Sequence, residues 1–66
     1  MDRQPNGIFD SLAGAVAAGK RAEQDGTGRR AWIVPFDRHD GEAHYDLFVG
    51  GNCPLGEYYD ADGIRH

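Results

Sequence analysis

Residues 30–49 read RAWIVPFDRHDGEAHYDLFV, and this stretch decides the fold. Two apolar runs are separated by seven polar or small residues, 37–43, in which the pair Asp40-Gly41 favours a turn. The pattern predicts a β-hairpin with strands at about residues 31–36 and 44–49. In each strand every second residue is apolar or aromatic, and we expect these residues to face the core: Trp32, Val34 and Phe36 in the first strand, and Tyr45, Leu47 and Val49 in the second.

Upstream of the hairpin, apolar residues at spacings of three and four predict an amphipathic helix over about residues 7–24. Asn6 precedes this stripe and is a suitable N-cap. Lys20 and Arg21 near the end of the helix carry the charge that the helix dipole favours there. The glycines of residues 25–28 then end the helix and lead into the first strand.

Downstream of the hairpin, three glycines and a proline between residues 50 and 56 make the chain turn. A third short strand is expected at about residues 56–60, because two strands alone are rarely stable. Pro35 cannot donate a ladder hydrogen bond, so we expect the first hairpin strand either to lie at a sheet edge or to pair irregularly near Pro35. The sequence thus predicts a single small α+β domain over residues 1–66, with one N-terminal helix packed on a three-stranded antiparallel sheet. The expected core comprises Leu12, Val16, Trp32, Val34, Leu47 and Val49.

Charge is distributed unevenly along the chain, whose net charge is −4. Residues 1–36 hold five basic and four acidic groups, whereas residues 37–66 hold seven acidic groups against Arg38 and Arg65, a net −5. An anionic carboxyl half disfavours direct nucleic-acid binding, because neutralising phosphates requires lysine and arginine. It suits a basic partner surface. The alternative is that these acids serve only solubility.

Enzymatic chemistry is not expected from this sequence. Cys53 lies in the anionic half, which opposes formation of a reactive thiolate, and a domain of this size offers little concavity for acid-base work. His39 and His44, with Asp40 and Glu42 between them, resemble a set of metal ligands, but the spacing fits a solvated loop better. We therefore expect no cofactor and no bound metal, and we keep a small metal-dependent enzyme built on the two histidines as an alternative.

Three features of the sequence bear on the cellular location of the protein. A single cysteine cannot form an intramolecular disulfide, the first residues are too polar for a signal peptide, and no apolar run approaches the roughly 20 residues of a membrane span. We expect a cytoplasmic protein of a bacterial host cell, without membrane contact and monomeric.

Taken together, a short cytosolic chain, a helix against a small antiparallel sheet and an acidic carboxyl half from Asp37 to Asp62 resemble the small anti-CRISPR proteins of phages, in particular inhibitors of type I systems. The resemblance implies non-catalytic inhibition, in which surface carboxylates mimic DNA phosphates and occupy a basic surface of a CRISPR effector (Cascade) subunit. Such effectors hold DNA in positively charged channels. A small antitoxin-like or regulatory adaptor is the alternative binding protein.

Alternation places Asp46 opposite Leu47, on the sheet face away from the helix, and one ring of the Tyr58-Tyr59 pair must reach the surface beside the acids. The predicted partner-binding residues are Asp37, Asp40, Glu42, Asp46, Glu57, Tyr58, Asp60 and Asp62.

Overall fold

The computed structural model describes residues 4–37 and 43–66, which form one helix and a three-stranded antiparallel sheet. In chain order the elements are β1 (Gly7–Phe9), α1 (Leu12–Glu23), β2 (Ala31–Asp37) and β3 (Ala43–Val49). The helix packs against one face of the sheet. This confirms the predicted α+β fold class. Within the described part of the chain, no helix has the length and hydrophobicity that crossing a bilayer requires.

The predicted hairpin is β2 and β3, but the third strand lies elsewhere than predicted. The strand order is β1-β3-β2, so that β1, from the start of the chain, pairs with the far side of β3. The segment predicted as a third strand contributes a single bridge to β2, in which Tyr59 exchanges two backbone hydrogen bonds with Ile33 (2.9 and 2.7 Å), and Tyr59 forms a second bridge with Arg65. The bridge to Ile33 lies on the outer edge of β2.

The helix begins five residues later than predicted. Ser11 is the N-cap, and its hydroxyl accepts a hydrogen bond from the Gly14 N–H (3.1 Å). Ile8 and Phe9 have helical spacing relative to Leu12, yet both belong to β1, because pairing with β3 satisfies their backbone groups. Asn6 is therefore not a helix cap: its side-chain oxygen accepts from the Val49 N–H at 2.9 Å.

The core lies between α1 and the sheet and consists of Ala15, Ala31, Ile33, Leu47 and Ala61. Of the predicted core residues, Leu47 is buried, and Leu12, Val16 and Val49 pack against the core in partly buried positions. The assignment of Trp32 and Val34 to the core was wrong. Leu47 pairs with Ile33 in the observed register, so that Trp32, Val34 and Phe36 lie on the opposite face of the sheet.

Close approach of the helix explains which face of β2 is buried. A Cβ atom placed on Gly19 would lie 3.3 Å from the Ala31 Cβ and 3.4 Å from the Leu47 Cδ1. Space this narrow accommodates Ala31 and Ile33 but not the indole of Trp32. The small residues of α1 thus select the smaller side chains of β2.

Pro35 lies on the outer edge of β2, as predicted. The N–H and C=O groups of Ile33 point away from β3 toward Tyr59, and Pro35, two residues later, has its ring nitrogen on the same edge. Its missing N–H therefore removes no hydrogen bond to β3. Beyond this edge, residues 58–66 fold back on themselves through Tyr58–His66 backbone hydrogen bonds and a turn that ends at Gly63 (φ +81°).

Candidate functional site

The sheet face turned away from α1 carries large apolar side chains. We call this surface the open face. The register places on it Ile8 of β1, together with three residues of β2 and three of β3, namely Trp32, Val34, Phe36, His44, Asp46 and Phe48. Ile8 is 60% exposed and Phe36 54% exposed, so the face is not fully covered by the described part of the chain.

Asp46 lies at the centre of this face, between Ile8 on one neighbouring strand and Val34 on the other. Its side chain is only 18% exposed. The predicted position, on the face away from the helix, is confirmed, but the carboxylate is enclosed rather than solvated. A carboxylate in such surroundings has lost much of its hydration, and this costs several kcal/mol unless a cation or hydrogen-bond donors compensate.

His44 is the neighbour of Asp46 on β3 and is 14% exposed at its side chain. Its Nε2 lies 3.2 Å from Asp46 Oδ1, a contact that becomes an ion pair only when the imidazole is protonated. This contact lacks hydrogen-bond geometry, since Asp46 Oδ1 has no hydrogen-bond partner within residues 4–37 and 43–66. The ring of Phe36 covers the imidazole, with centroids 5.0 Å apart.

A pocket of about 280 Å³ adjoins Asp46. It is lined by Val34, Asp46 and Phe48 from the sheet and by Asn52 and Pro54 from the loop that follows β3. Gly50 and Gly51, both with positive φ, turn the chain so that this loop passes over the open face. Within the described part of the chain, the pocket is therefore lined mostly by apolar side chains, with the carboxylate of Asp46 in its wall.

An aromatic row borders the other end of the open face. Tyr58 meets Trp32 edge to face with centroids 5.5 Å apart, and His66 stacks on Tyr58 at 5.0 Å. The Arg30 guanidinium carbon lies 5.6 Å from the centroid of the Trp32 ring. The Trp32 indole Nε1 is buried and has no hydrogen-bond partner among the described residues, which leaves one donor unused beside this row.

The remaining predicted acids fall into two groups. Glu57 pairs with Arg65, Asp62 lies 3.6 Å from Lys20 Nζ, and Asp60 contacts His66, all near the C-terminal turn. Asp40 and Glu42 lie outside the described residues, as does the side chain of Asp37. Asp60 and Asp62 share one turn, whereas Asp46 lies on the sheet.

Asp60 organises the C-terminal turn through its carboxylate. The imidazole Nε2 of His66 donates to Asp60 Oδ2 at 2.8 Å, because an ionised carboxylate can only accept. The N–H groups of Ile64 (3.0 Å) and Asp62 (2.9 Å) donate to Oδ1. The hydrogen bond from His66, followed by that from Ile64, lowers the pKa of Asp60 below its ordinary value. The Asp60 carboxylate therefore accepts its hydrogen bonds from groups of its own turn.

His44 is the one of the two histidines considered as metal ligands that the structure describes. Its close carboxylate is Asp46, and His39 lies outside the described residues. Residues 4–37 and 43–66 contain no group of three or more histidine, cysteine or acidic side chains arranged to hold a metal ion.

Several residues of this surface were not predicted to bind a partner: Trp32, Val34, Phe36, Phe48, Asn52 and Pro54. The first three were assigned to the core, because they are the larger alternating set of β2. The sequence did contain a signal for these residues, because both alternating sets of the hairpin include apolar side chains. This pattern indicates a sheet with two apolar faces, of which a single helix covers only one.

Comparisons with protein-family models, with curated proteins and with solved structures each return no match.

Proposed function

We propose that this protein acts by non-catalytic binding to a basic surface of another protein, and that the open face makes the contact. The observation that carries the proposal is the position of Asp46, a largely enclosed carboxylate at the centre of an aromatic and aliphatic sheet face. A negative charge surrounded by apolar side chains favours a partner that brings a positive charge among apolar groups, and it penalises neutral or acidic partners.

The apolar surroundings of Asp46 also support a binding role. Ile8 and Phe36 expose more than half of their surface on the same face that carries Trp32 and Phe48. Contiguous apolar surface on a small soluble protein marks an interaction site, and aromatic side chains are enriched at the centre of interfaces.

Inhibition of a CRISPR effector complex is the specific form of this proposal. The effector subunit would offer the basic surface that otherwise recognises DNA, and a cytoplasmic, monomeric protein without direct nucleic-acid or membrane contact would bind it there. Because Glu57, Asp60 and Asp62 each contact a basic group of their own chain, the proposal gives Asp46 and the open face the main role. The loop acids Asp37, Asp40 and Glu42 are a second contact.

The test measures how strongly each variant prevents a purified type I effector complex from binding its target DNA in a mobility-shift assay. The open-face variant I8K/F36K places two positive charges against the basic partner. Its matched control is A13K/A17K, which adds the same charge to exposed positions of α1, on the other side of the molecule. We expect I8K/F36K to lose inhibition and A13K/A17K to retain it.

The loop variant D37K/D40K/E42K separates the two anionic surfaces. Loss of inhibition in this variant, with I8K/F36K fully active, would place the interface on the hairpin loop and refute the role of the open face. A wild-type protein that leaves the effector unaffected at all concentrations would refute the CRISPR form of the proposal. Binding should also weaken as salt increases, since charge steering is screened over about 8–10 Å near physiological ionic strength.

A further inference from the structure

The pocket beside Asp46 has the size and lining of a receptor for one side chain. Its volume is about 280 Å³, and of the five described residues that line it, four are uncharged, namely Val34, Phe48, Asn52 and Pro54. Sites for drug-sized ligands begin at about 300 Å³. A pocket just below this size suits an aliphatic chain with a single polar end.

Asp46 determines the charge of that end. Among the described residues it is the one charged member of the lining, and its carboxylate is largely withdrawn from solvent. The basic side chains of this chain that form ion pairs elsewhere, Lys20, Arg29, Arg30 and Arg65, are engaged with other carboxylates. Apart from His44, the pocket therefore lacks a cation from the described part of the chain. A cation supplied by the partner would compensate the charge of Asp46.

The geometry favours an ammonium group over a guanidinium group. Arginine binds carboxylates best through two parallel hydrogen bonds to both oxygens. Here Oδ1 already faces His44 Nε2 at 3.2 Å, so that a bidentate approach would meet the imidazole. An ammonium group is a compact point charge that needs one oxygen. The four methylenes of lysine would lie along the apolar walls formed by Val34, Phe48 and Pro54.

We infer that the pocket between β2, β3 and the loop after β3 receives a lysine side chain from the protein partner, with its ammonium group on Asp46. This inference rests on the proposed function and names the chemical group that the open face recognises.

The test uses lysine itself as the probe, in the form Nα-acetyl-lysine methylamide, and follows backbone amide shifts of the whole protein by NMR. We expect saturable shifts at Val34, Asp46, Phe48 and Asn52. The matched probe acetylated on Nε keeps the stem and loses the charge, and it should bind about tenfold or more weakly, as expected for loss of a charged hydrogen bond. The corresponding arginine probe should bind more weakly than lysine.

Two variants test the pocket from the protein side. Asp46→Asn keeps the shape of the side chain and should reduce lysine binding about tenfold or more. The control Asp10→Asn, at an exposed carboxylate outside the pocket, should bind lysine as the wild type does. Asn52→Lys, at an exposed loop position, places a lysine of the chain itself at the pocket and should block the probe without any change in the core.

The outcomes separate the two proposals. Equal binding of the acetylated probe, tighter binding of arginine, unchanged binding by Asp46→Asn, or no shifts at the solubility limit of the lysine probe would each overturn the lysine pocket. If the probe fails while I8K/F36K still loses inhibition, the open face remains the docking surface without a lysine pocket. If the probe binds as expected while I8K/F36K retains full inhibition, the pocket stands and the docking surface lies elsewhere.

Discussion

Replacement of Ile33 by alanine is expected to remove a large part of the folding free energy. Ile33 is 0% exposed, and it is the largest fully buried side chain of the described core. Its side chain packs between β3 and the helix, where its Cδ1 atom lies 3.7 Å from the position that a Cβ on Gly19 would occupy. Alanine keeps the backbone hydrogen bonds to Tyr59, so the substitution tests the side chain alone.

The expected loss follows from the size of the cavity relative to the stability of so small a domain. Truncation of a buried isoleucine to alanine costs about 2–5 kcal/mol. A domain of this length has a total stability of roughly 3–10 kcal/mol at the usual 0.05–0.15 kcal/mol per residue. At about 4–8 °C per kcal/mol for a domain of this size, the melting temperature should fall by about 8–40 °C.

Thermal and urea unfolding followed by far-UV circular dichroism measure this loss. Ile64→Ala is the matched control, because Ile64 is 58% exposed and the same truncation there should change stability by less than about 0.5 kcal/mol. Equal losses of stability in Ile33→Ala and Ile64→Ala would refute the burial of Ile33. They would favour the alternative register, in which Trp32 and Val34 face the helix.

Two further predictions concern the ends of the fold. Ser11→Ala removes the cap of α1 and should lower the free energy of unfolding by about 1 kcal/mol, measured by urea denaturation; an unchanged midpoint would show that the Ser11–Gly14 hydrogen bond contributes nothing. Asp60→Asn should flatten the acid side of the stability profile. Because the folded-state pKa of Asp60 is lowered, its stabilising effect is present above its unfolded pKa of about 3.9 and is lost as pH falls through the folded value. The difference in urea midpoint between neutral and strongly acidic pH should therefore be smaller in the variant, and an equal difference would contradict this role.

The elements of this fold were largely predictable from the sequence, because the hairpin has strong local signals. The alternation of apolar residues, the turn-forming pair Asp40-Gly41 and the limits of the two strands are all determined by residues that are close together in the sequence. The strand at residues 7–9 was not predictable from such local signals. Ile8 and Phe9 fit the helical spacing of the following stripe equally well, and only pairing with β3, distant in sequence, makes them a strand.

The buried face of β2 was not predictable from alternation alone. Both alternating sets, Ala31 with Ile33 and Trp32 with Val34, are apolar, and larger side chains usually indicate the core. The decision depends on how closely Gly19 lets the helix approach Ala31, which is a distance in the folded protein. The position of Asp46 was predicted from the same alternation, because its neighbour Leu47 is unambiguously a core residue.

The candidate site combines a predicted residue with unpredicted surroundings. Asp46 was among the expected binding residues as one of several solvated acids. The structure encloses it with Phe48 and Pro54, since the glycines after β3 return the loop over the sheet. The glycines predicted that the chain turns after β3, but not which face of the sheet the loop covers.

The position of Pro35 has a consequence for solubility. A protein with an apolar sheet face and a free strand edge is at risk of adding further strands from other copies and growing into fibrils. At the outer edge of β2, Tyr59 already occupies the hydrogen-bonding groups of Ile33, and the next outward position is a proline, which has no N–H to offer. An incoming strand would find no continuous ladder to join along this edge. The apolar open face can thus remain exposed while this neighbouring edge resists edge-to-edge aggregation.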